Sequence, residues 1–281
     1  MEDDAMKTWL ITGCSTGLGR ALAQAVLEHG DNAVVTARRI EDIRALADRY
    51  PEFALPVALD VTDARQRAEA VERGVERFGA IDVLVNNAGY GYRAAIEEAS
   101  EEDARRLFDT HVFGAVALIQ AVLPGMRERR SGTIANISSI GAQLTLAGSG
   151  HYSAVKAAME GITGALRKEV EPLGITAFAI EPGGFRTDFA GRSLQQSERV
   201  IDDYADTAGP RRRERDTTHG TQPGDPAKAA AAIIEVVDSG RAPALFVLGS
   251  DAVRSYRETA EARLASLEEW RELGASTDIE E

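Results

Sequence analysis

Thr8-Trp-Leu-Ile-Thr12-Gly13-Cys-Ser-Thr-Gly17-Leu-Gly19 is the stretch on which the reading of this chain turns. Thr8-Trp-Leu-Ile11 is a short apolar run of the kind that forms a buried strand. From 17 to 28 the pattern changes: Leu18, Ala21, Leu22, Ala25 and Val26 recur at helical spacing and mark one apolar face. Gly13, Gly17 and Gly19 lie in and just after the turn between them. Glycine lets the backbone turn tightly and come close to a ligand, while a helix N-terminus offers free N–H groups and a favourable dipole. A strand, a glycine turn and a helix in this order suit the pyrophosphate of a dinucleotide. The spacing is G-x-x-x-G-x-G rather than G-x-G-x-x-G. Gly13, Ser15, Thr16, Gly17, Leu18 and Gly19 are the candidate contacts.

Outward from this unit, short apolar runs alternate with longer helical patterns. Strands are expected at 8–11, 33–37, 53–59, 81–85, 133–137, 175–180 and 244–248. Helices are expected at 17–28, 40–49, 63–78, 102–129, 152–171 and 227–238, the fourth interrupted near Gly114 and Pro124. Such alternation implies right-handed βαβ units, hence an α/β fold with a doubly wound, parallel, seven-stranded sheet. One domain is expected over 1–250, including a polar insertion at 188–224 that reads as a substrate lid. Its basic run Arg211-Arg-Arg-Glu-Arg215 reads as solvated. Residues 251–281 form a C-terminal extension: a helix to about 273, then an acidic tail.

The composition is that of an ordinary globular domain: 281 residues, 44% hydrophobic and 27% charged. A formal net charge of −13 argues against nucleic-acid binding, which needs a basic face. Cys14 is the one cysteine, so no internal disulfide can form. The acidic N-terminus, Met1 to Lys7, is too short to precede a signal peptide's apolar region, and no apolar run approaches the roughly 20 residues of a membrane span. A soluble, cytoplasmic protein with no membrane partner and no metal site is expected.

Two further features bear on chemistry. The second expected strand ends in Ala37-Arg38-Arg39, about 20 residues past the glycine turn, where an acid would bind a ribose 2′-hydroxyl and an arginine a 2′-phosphate. Arg38 and Arg39 favour NADP(H), with NAD(H) still possible. Tyr152-Ser-Ala-Val-Lys156 places a phenol and an amine at i and i+4 on one helical face. An ammonium beside a phenol favours phenolate, giving a proton donor and acceptor suited to carbonyl reduction or alcohol oxidation.

Taken in order, these motifs resemble the short-chain dehydrogenase/reductases in their classical form. The match runs over about residues 7 to 250: Thr12-Gly13-x-x-x-Gly17-x-Gly19, Asp60-Val61, Asn86-Asn87-Ala88-Gly89, Ser139, Tyr152-x-x-x-Lys156 and Pro182-Gly183-x-x-x-Thr187. The resemblance implies a Rossmann fold and an NAD(P)-dependent oxidoreductase. It implies that Asp60 and Val61 line the adenine and that Asn87, Ala88 and Gly89 border the adenosine ribose, with Asn86 mainly structural. Pro182, Gly183, Phe185 and Thr187 would hold the nicotinamide end. Tyr152 would be the general acid and base. Ser139, 13 residues before it, is preferred over Ser138 for binding the substrate oxygen. Lys156 would lower the Tyr152 pKa and bind the nicotinamide ribose.

His111 departs from the pattern, because relatives usually carry asparagine there. In the family that position holds a water leading from the lysine to solvent, and a histidine could itself relay a proton. The expectation is retained activity with an altered pH profile; a slow enzyme, or a histidine that merely packs, are the alternatives. Cys14 reads as a buried filler. Candidate substrate contacts are Ser139, Leu144, Tyr152, Phe185 and Phe189, within a wider pocket that adds Tyr90, Tyr92, Ile140, Gln143, Leu146 and His151. They suggest an apolar cleft for a hydrophobic ketone, aldehyde or secondary alcohol. Two other readings stand beside this one: a non-catalytic dinucleotide sensor, and a sugar-nucleotide epimerase or dehydratase of the extended relatives. The resemblance also implies a homo-oligomer, dimer or tetramer, pairing the helices at 102–129 and 152–171.

Overall fold

The computed structural model describes residues 6–279 except 192 and 219; the side chains of 190 and 215–218 are likewise outside the described set. The first five residues, the side chain of Arg215 in the basic run and the last two residues of the acidic tail therefore lie outside it.

Seven parallel strands form the central sheet: β1 (Thr8–Ile11), β2 (Asn32–Ala37), β3 (Ala54–Ala58), β4 (Val83–Asn86), β6 (Gly132–Ile137), β7 (Ile175–Pro182) and β9 (Leu245–Leu248), in the order β3-β2-β1-β4-β6-β7-β9. Period-two alternation sends successive side chains to opposite faces. Trp9 and Ile11 of β1, Val35 of β2 and Val85 of β4 enter one core layer, and Leu10, Val34 and Leu84 enter the other. Both faces are buried, so the strands read as continuous apolar runs.

Helices α1 (Gly17–His29), α2 (Glu41–Ala47) and α9 (Pro226–Asp238) cover the first face through Leu22, Val26, Ile43, Ile233 and Val237. Helices α3 (Ala64–Phe78), α5 (Gly114–Arg129) and α7 (Gly150–Val170) cover the second through Ala70, Leu118, Val122, Met126 and Leu166. Each fully buried aliphatic side chain of this set stabilises the fold by about 1.5–3 kcal/mol. Strand order reverses between β1 and β4, which opens a crevice at their carboxyl ends.

The long helix expected at 102–129 is two helices joined by a wide turn. α4 (Glu101–Phe108) passes into a π-helical turn, Asp109–Phe113, before α5. Gly114 lies against the loop after β3, where a Cβ would stand 2.6 Å from the Val61 carbonyl oxygen. The expected break at Pro124 does not occur: the proline sits inside α5 on its solvent side, where water can satisfy the carbonyl left unpaired. By length and composition the run Glu101–Arg129 could pass for a membrane span, which corrects the sequence reading. Its apolar side chains Leu118, Ile119, Val122 and Met126 pack on the sheet.

The insertion at 188–224 is more structured than its polar sequence suggested. Its strand β8 (Leu194–Gln196) pairs in parallel with β5 (Gly91–Arg93), making a second, two-stranded sheet, and it carries α8 (Gly209–Thr218). Buried Glu98 ties it down: its carboxylate accepts from Ala95 N–H (2.7 Å) and Ile201 N–H (2.9 Å) and pairs with Arg212 of α8. Burial alone would raise this carboxyl; the hydrogen bonds and Arg212 hold it below the usual value. The C-terminal helix α10 (Ser250–Ala275) buries only Ala252. Arg263 ties it back to the domain, donating to Gln143 Oε1 at 2.8 Å.

Candidate active site

The glycine turn between β1 and α1 is shaped by close approach. Gly13 has φ +74°, and a Cβ there would lie 2.9 Å from Ala88 Cα. A Cβ at Gly19 would lie 2.3 Å from Asn87 Nδ2. Asn87 pins the turn, donating to the Thr12 carbonyl at 2.7 Å and the Gly13 carbonyl at 3.2 Å. Thr12 Oγ1 accepts in return from the N–H groups of Asn87 and Ala88, both at 2.9 Å. Asn86 is bonded to Asn136 within the sheet. The α1 N-terminus has no side-chain cap and no acid in its first turn. These are the conditions a phosphate group requires, so the turn fits a dinucleotide.

Around it stand the other expected cofactor residues. Asp60 accepts from the Thr62 backbone N–H and hydroxyl at 2.9 and 2.7 Å, and Val61 is buried against α5. Arg38 and Arg39 are both exposed past β2, and Arg39 is forked onto Asp42. Pro182 ends β7, and Gly183 is so close to Asp251 that a Cβ would meet its carboxylate at 2.5 Å. Phe185 packs on the core beside Gly224. Thr187 lies against the glycine turn, 3.5 Å from where a Gly17 Cβ would stand. The fold thus joins Gly17 and Thr187, 170 residues apart in the chain, in one cleft.

Ser139, Tyr152 and Lys156 converge there. A Cβ on Gly141 would lie 3.3 Å from Ser139 Oγ and 3.4 Å from Tyr152 Cε1, so the hydroxyl and the phenol ring flank one glycine. Ser138 turns its hydroxyl instead to Glu160. Lys156 Nζ donates to the Ile137 carbonyl at 2.8 Å and lies 5.7 Å from the Tyr152 ring centre. Burial pushes the Tyr152 phenol up, against the lowering effects of the Ser139 hydroxyl, Arg93 and Arg211. The spacing argument expected Lys156 to lower it; in this structure desolvation outweighs charge. Lys156 is itself pushed down to about 8 by burial, with Glu160 opposing.

His111 stands on the π-helical turn, edge-on to Tyr152 with ring centres 5.9 Å apart. Its Nε2 lies 3.1 Å from Tyr90 N and 2.9 Å from Tyr90 O, accepting from one or donating to the other by tautomer. The ring occupies the space a Gly89 side chain would need. Burial first, then Lys156, push its pKa well below 6.5, so the imidazole is neutral. Its Nδ1 is buried without a partner, as is Asn86 Oδ1. Both residues line a cavity of about 10 Å³ beside Lys156, wide enough for one water.

The expected substrate contacts differ in how far they are free to meet a ligand. Phe189 lies 5.9 Å from the Tyr152 ring, and Leu144 is half-buried at the end of α6 (Gly141–Leu144). Tyr92, however, is buried with its hydroxyl on Asp103, and Gln143 is committed to Glu160 and Glu181. Sequence reasoning missed Arg93 and Arg211, which meet at Ser149 near Tyr152. No local signal marks them, since they lie 118 residues apart and meet through the β5–β8 pairing and the Glu98–Arg212 ion pair.

Comparison with known proteins agrees with this geometry. The short chain dehydrogenase family model matches residues 7–198. The chain is 39% identical to oxidoreductase BOA17 of Botryotinia fuckeliana, over 96% of this chain and 99% of that one. It is 39% identical to a 3-ketodihydrosphingosine reductase of Bacteroides thetaiotaomicron, over 70% and 71% of the two chains. The structure of a short-chain dehydrogenase from Streptomyces avermitilis superposes with a TM-score of 0.92 at 43% identity, covering 98% of this chain and 99% of that one. The chain belongs to the short-chain dehydrogenase family, and it is an oxidoreductase on the Rossmann fold.

Proposed function

We propose that this protein transfers a hydride between NADP(H) and a ketone, aldehyde or secondary alcohol, with Tyr152 as the general acid and base. The observation that carries the reading is the meeting of Ser139, Tyr152 and Lys156 at the cleft where strand order reverses. The glycine turn would hold the pyrophosphate, Arg38 and Arg39 a 2′-phosphate, and Lys156 with Thr187 the nicotinamide end. The cofactor supplies or accepts the hydride. The chain's own residues handle the oxygen. Ser139 Oγ donates to the substrate carbonyl and polarises it. Tyr152 gives its proton to that oxygen as the alcohol forms, or takes it back in the oxidative direction. A phenol raised by burial is a poor phenolate, so the ammonium of Lys156 matters when the proton leaves. The water-sized cavity beside Lys156 and His111 offers a path for its replacement.

Preference for NADP(H) rests on Arg38 and Arg39 and on the lack of an acid at the end of β2. The name of the Bacteroides relative, a reductase of a 3-keto compound, supports the reductive direction. A cytoplasmic homo-oligomer acting on a small molecule completes the proposal. The test is absorbance at 340 nm with NADPH and NADH in parallel, against a panel of hydrophobic ketones and aldehydes. NADPH consumption that outpaces NADH and vanishes in Tyr152→Phe is expected. Activity that survives Tyr152→Phe would remove the tyrosine from the mechanism.

A further inference from the structure

Arg93, the last residue of β5, donates from Nη1 to Ser149 Oγ at 2.6 Å, and Arg211 of α8 donates from Nε to the same oxygen at 3.2 Å. Two guanidinium groups therefore converge on one hydroxyl. One carboxylate faces both cations: Glu214 pairs with Arg211 and also acts electrostatically on Arg93, whose Nε is buried without a hydrogen-bond partner. Ser149 is also the N-cap of α7, a helix of 21 residues, and it makes no side-chain cap bond. The cations thus crowd the positive end of a long helix, where cations are disfavoured and anions bind. Close like charges and an unpaired buried donor are costly unless an anion joins them.

This cluster borders the reaction site. Ser149 opens α7 and precedes Tyr152 by three residues. Both guanidiniums act electrostatically on the Tyr152 phenol. A groove of about 560 Å³ opens beside the cluster, lined by Ala95, Ile96, Ala147, Gly148, Tyr204 and Ala208. Its lining residues are chain neighbours of the cluster: Ala95 lies two residues after Arg93, Gly148 one before Ser149, and Ala208 three before Arg211. Glu97, also on the rim, is engaged by the Tyr204 hydroxyl and by Arg199.

We propose that Arg93 and Arg211 bind a carboxylate carried by the substrate, so that the enzyme acts on an oxo acid, or the matching hydroxy acid, with an apolar body. Two forked guanidiniums and a serine hydroxyl match the planar, multiply accepting geometry of a carboxylate. The mainly apolar groove takes the rest of the molecule. Calling the bound anion a substrate rests on the oxidoreductase reading; the anion site itself does not.

The test is calorimetric titration of hexanoate and of hexanamide into the protein, with and without saturating NADPH, for the wild type, Arg93→Gln and Arg211→Gln. Hexanoate is expected to bind at least about tenfold more tightly than hexanamide, and each substitution to remove about that preference. Arg211 lies on a partly exposed helix, so its variant tests the site even where Arg93→Gln unfolds the protein. Equal binding of the two probes, or a hexanoate affinity unmoved by Arg211→Gln, overturns the proposal. NADPH-linked reduction of 5-oxohexanoate and its methyl ester separates the two readings. Equal turnover of acid and ester with no hexanoate preference sinks the carboxylate site and leaves the oxidoreductase. Hexanoate held by the arginines with no carbonyl turned over does the reverse.

Discussion

Glu160 of α7 and Glu181 of β7 share one amide: Gln143 Nε2 donates to Glu160 Oε2 at 2.7 Å and to Glu181 Oε1 at 2.9 Å. Glu181 is fully buried, and its Oε2 has no partner. Burial first, then the hydrogen bond with Glu160, push the Glu181 carboxyl up to about 8, against the lowering effects of Gln143 and Arg263. The folded state therefore keeps a proton that the unfolded chain gives up near the ordinary value of 4.5. Stability falls as pH rises across that window and levels above it. Glu181→Gln is expected to raise the melting temperature clearly at pH 8.5 and little at pH 5. An equal shift at both pH values would show that Glu181 does not hold the proton.

Lys156 sits in the opposite case. Its folded value of about 8 lies below the free value of 10.5, so the folded state bears the cost of a buried ammonium at neutral pH. That cost is relieved as pH rises from about 8 to 10.5. Lys156→Met should raise the melting temperature of the cofactor-free protein at pH 7 while abolishing turnover. The stabilisation should shrink toward pH 10. Catalytic residues commonly carry such a cost in stability.

His111 is neutral in the fold, so it contributes no titration of its own around neutral pH. The pH profiles of kcat/KM for the wild type and His111→Asn are expected to share their limbs between pH 6 and 8, with turnover within about tenfold. A rise of tenfold or more in the variant would mark the histidine as a handicap.

Arg39 is bonded to Asp42 on its own turn, whereas Arg38 is exposed beside it at the same strand end. Arg38→Ala should raise the KM for NADPH about tenfold and leave NADH nearly unchanged, the loss of one charge-assisted phosphate contact. Arg39→Ala should do less. A parallel loss for both cofactors would assign Arg38 to structure.

Cys14 is fully buried in the glycine turn, with its thiol donating to the Ile11 carbonyl at 3.2 Å. Burial raises its pKa to about 12, beyond the lowering effects of Thr36 and Arg20. Iodoacetamide at pH 8 should leave it intact in the native protein and modify it on unfolding, as mass spectrometry would show.

The sequence alone determined the seven strands of the main sheet, most of the helices around it, the glycine turn and the residues on which the proposed chemistry rests. These are local matters: apolar periodicity follows the strand and helix repeats, and Tyr152 and Lys156 are neighbours on one helical turn. Spacing familiar in a resembling family also favoured Ser139 over Ser138, and in the fold Ser138 turns its hydroxyl to Glu160 while Ser139 faces the Tyr152 side. The tertiary structure decided what surrounds those groups. It set the wide turn at Asp109–Phe113 that aims His111, and the β5–β8 pairing that turns a polar insertion into a wall. It raised the Tyr152 phenol that the i, i+4 spacing alone had lowered. It brought Arg93, Ser149 and Arg211 together from three separate segments. Desolvation and long-range charge depend on which segments are folded against one another, and no local pattern in the chain encodes that proximity.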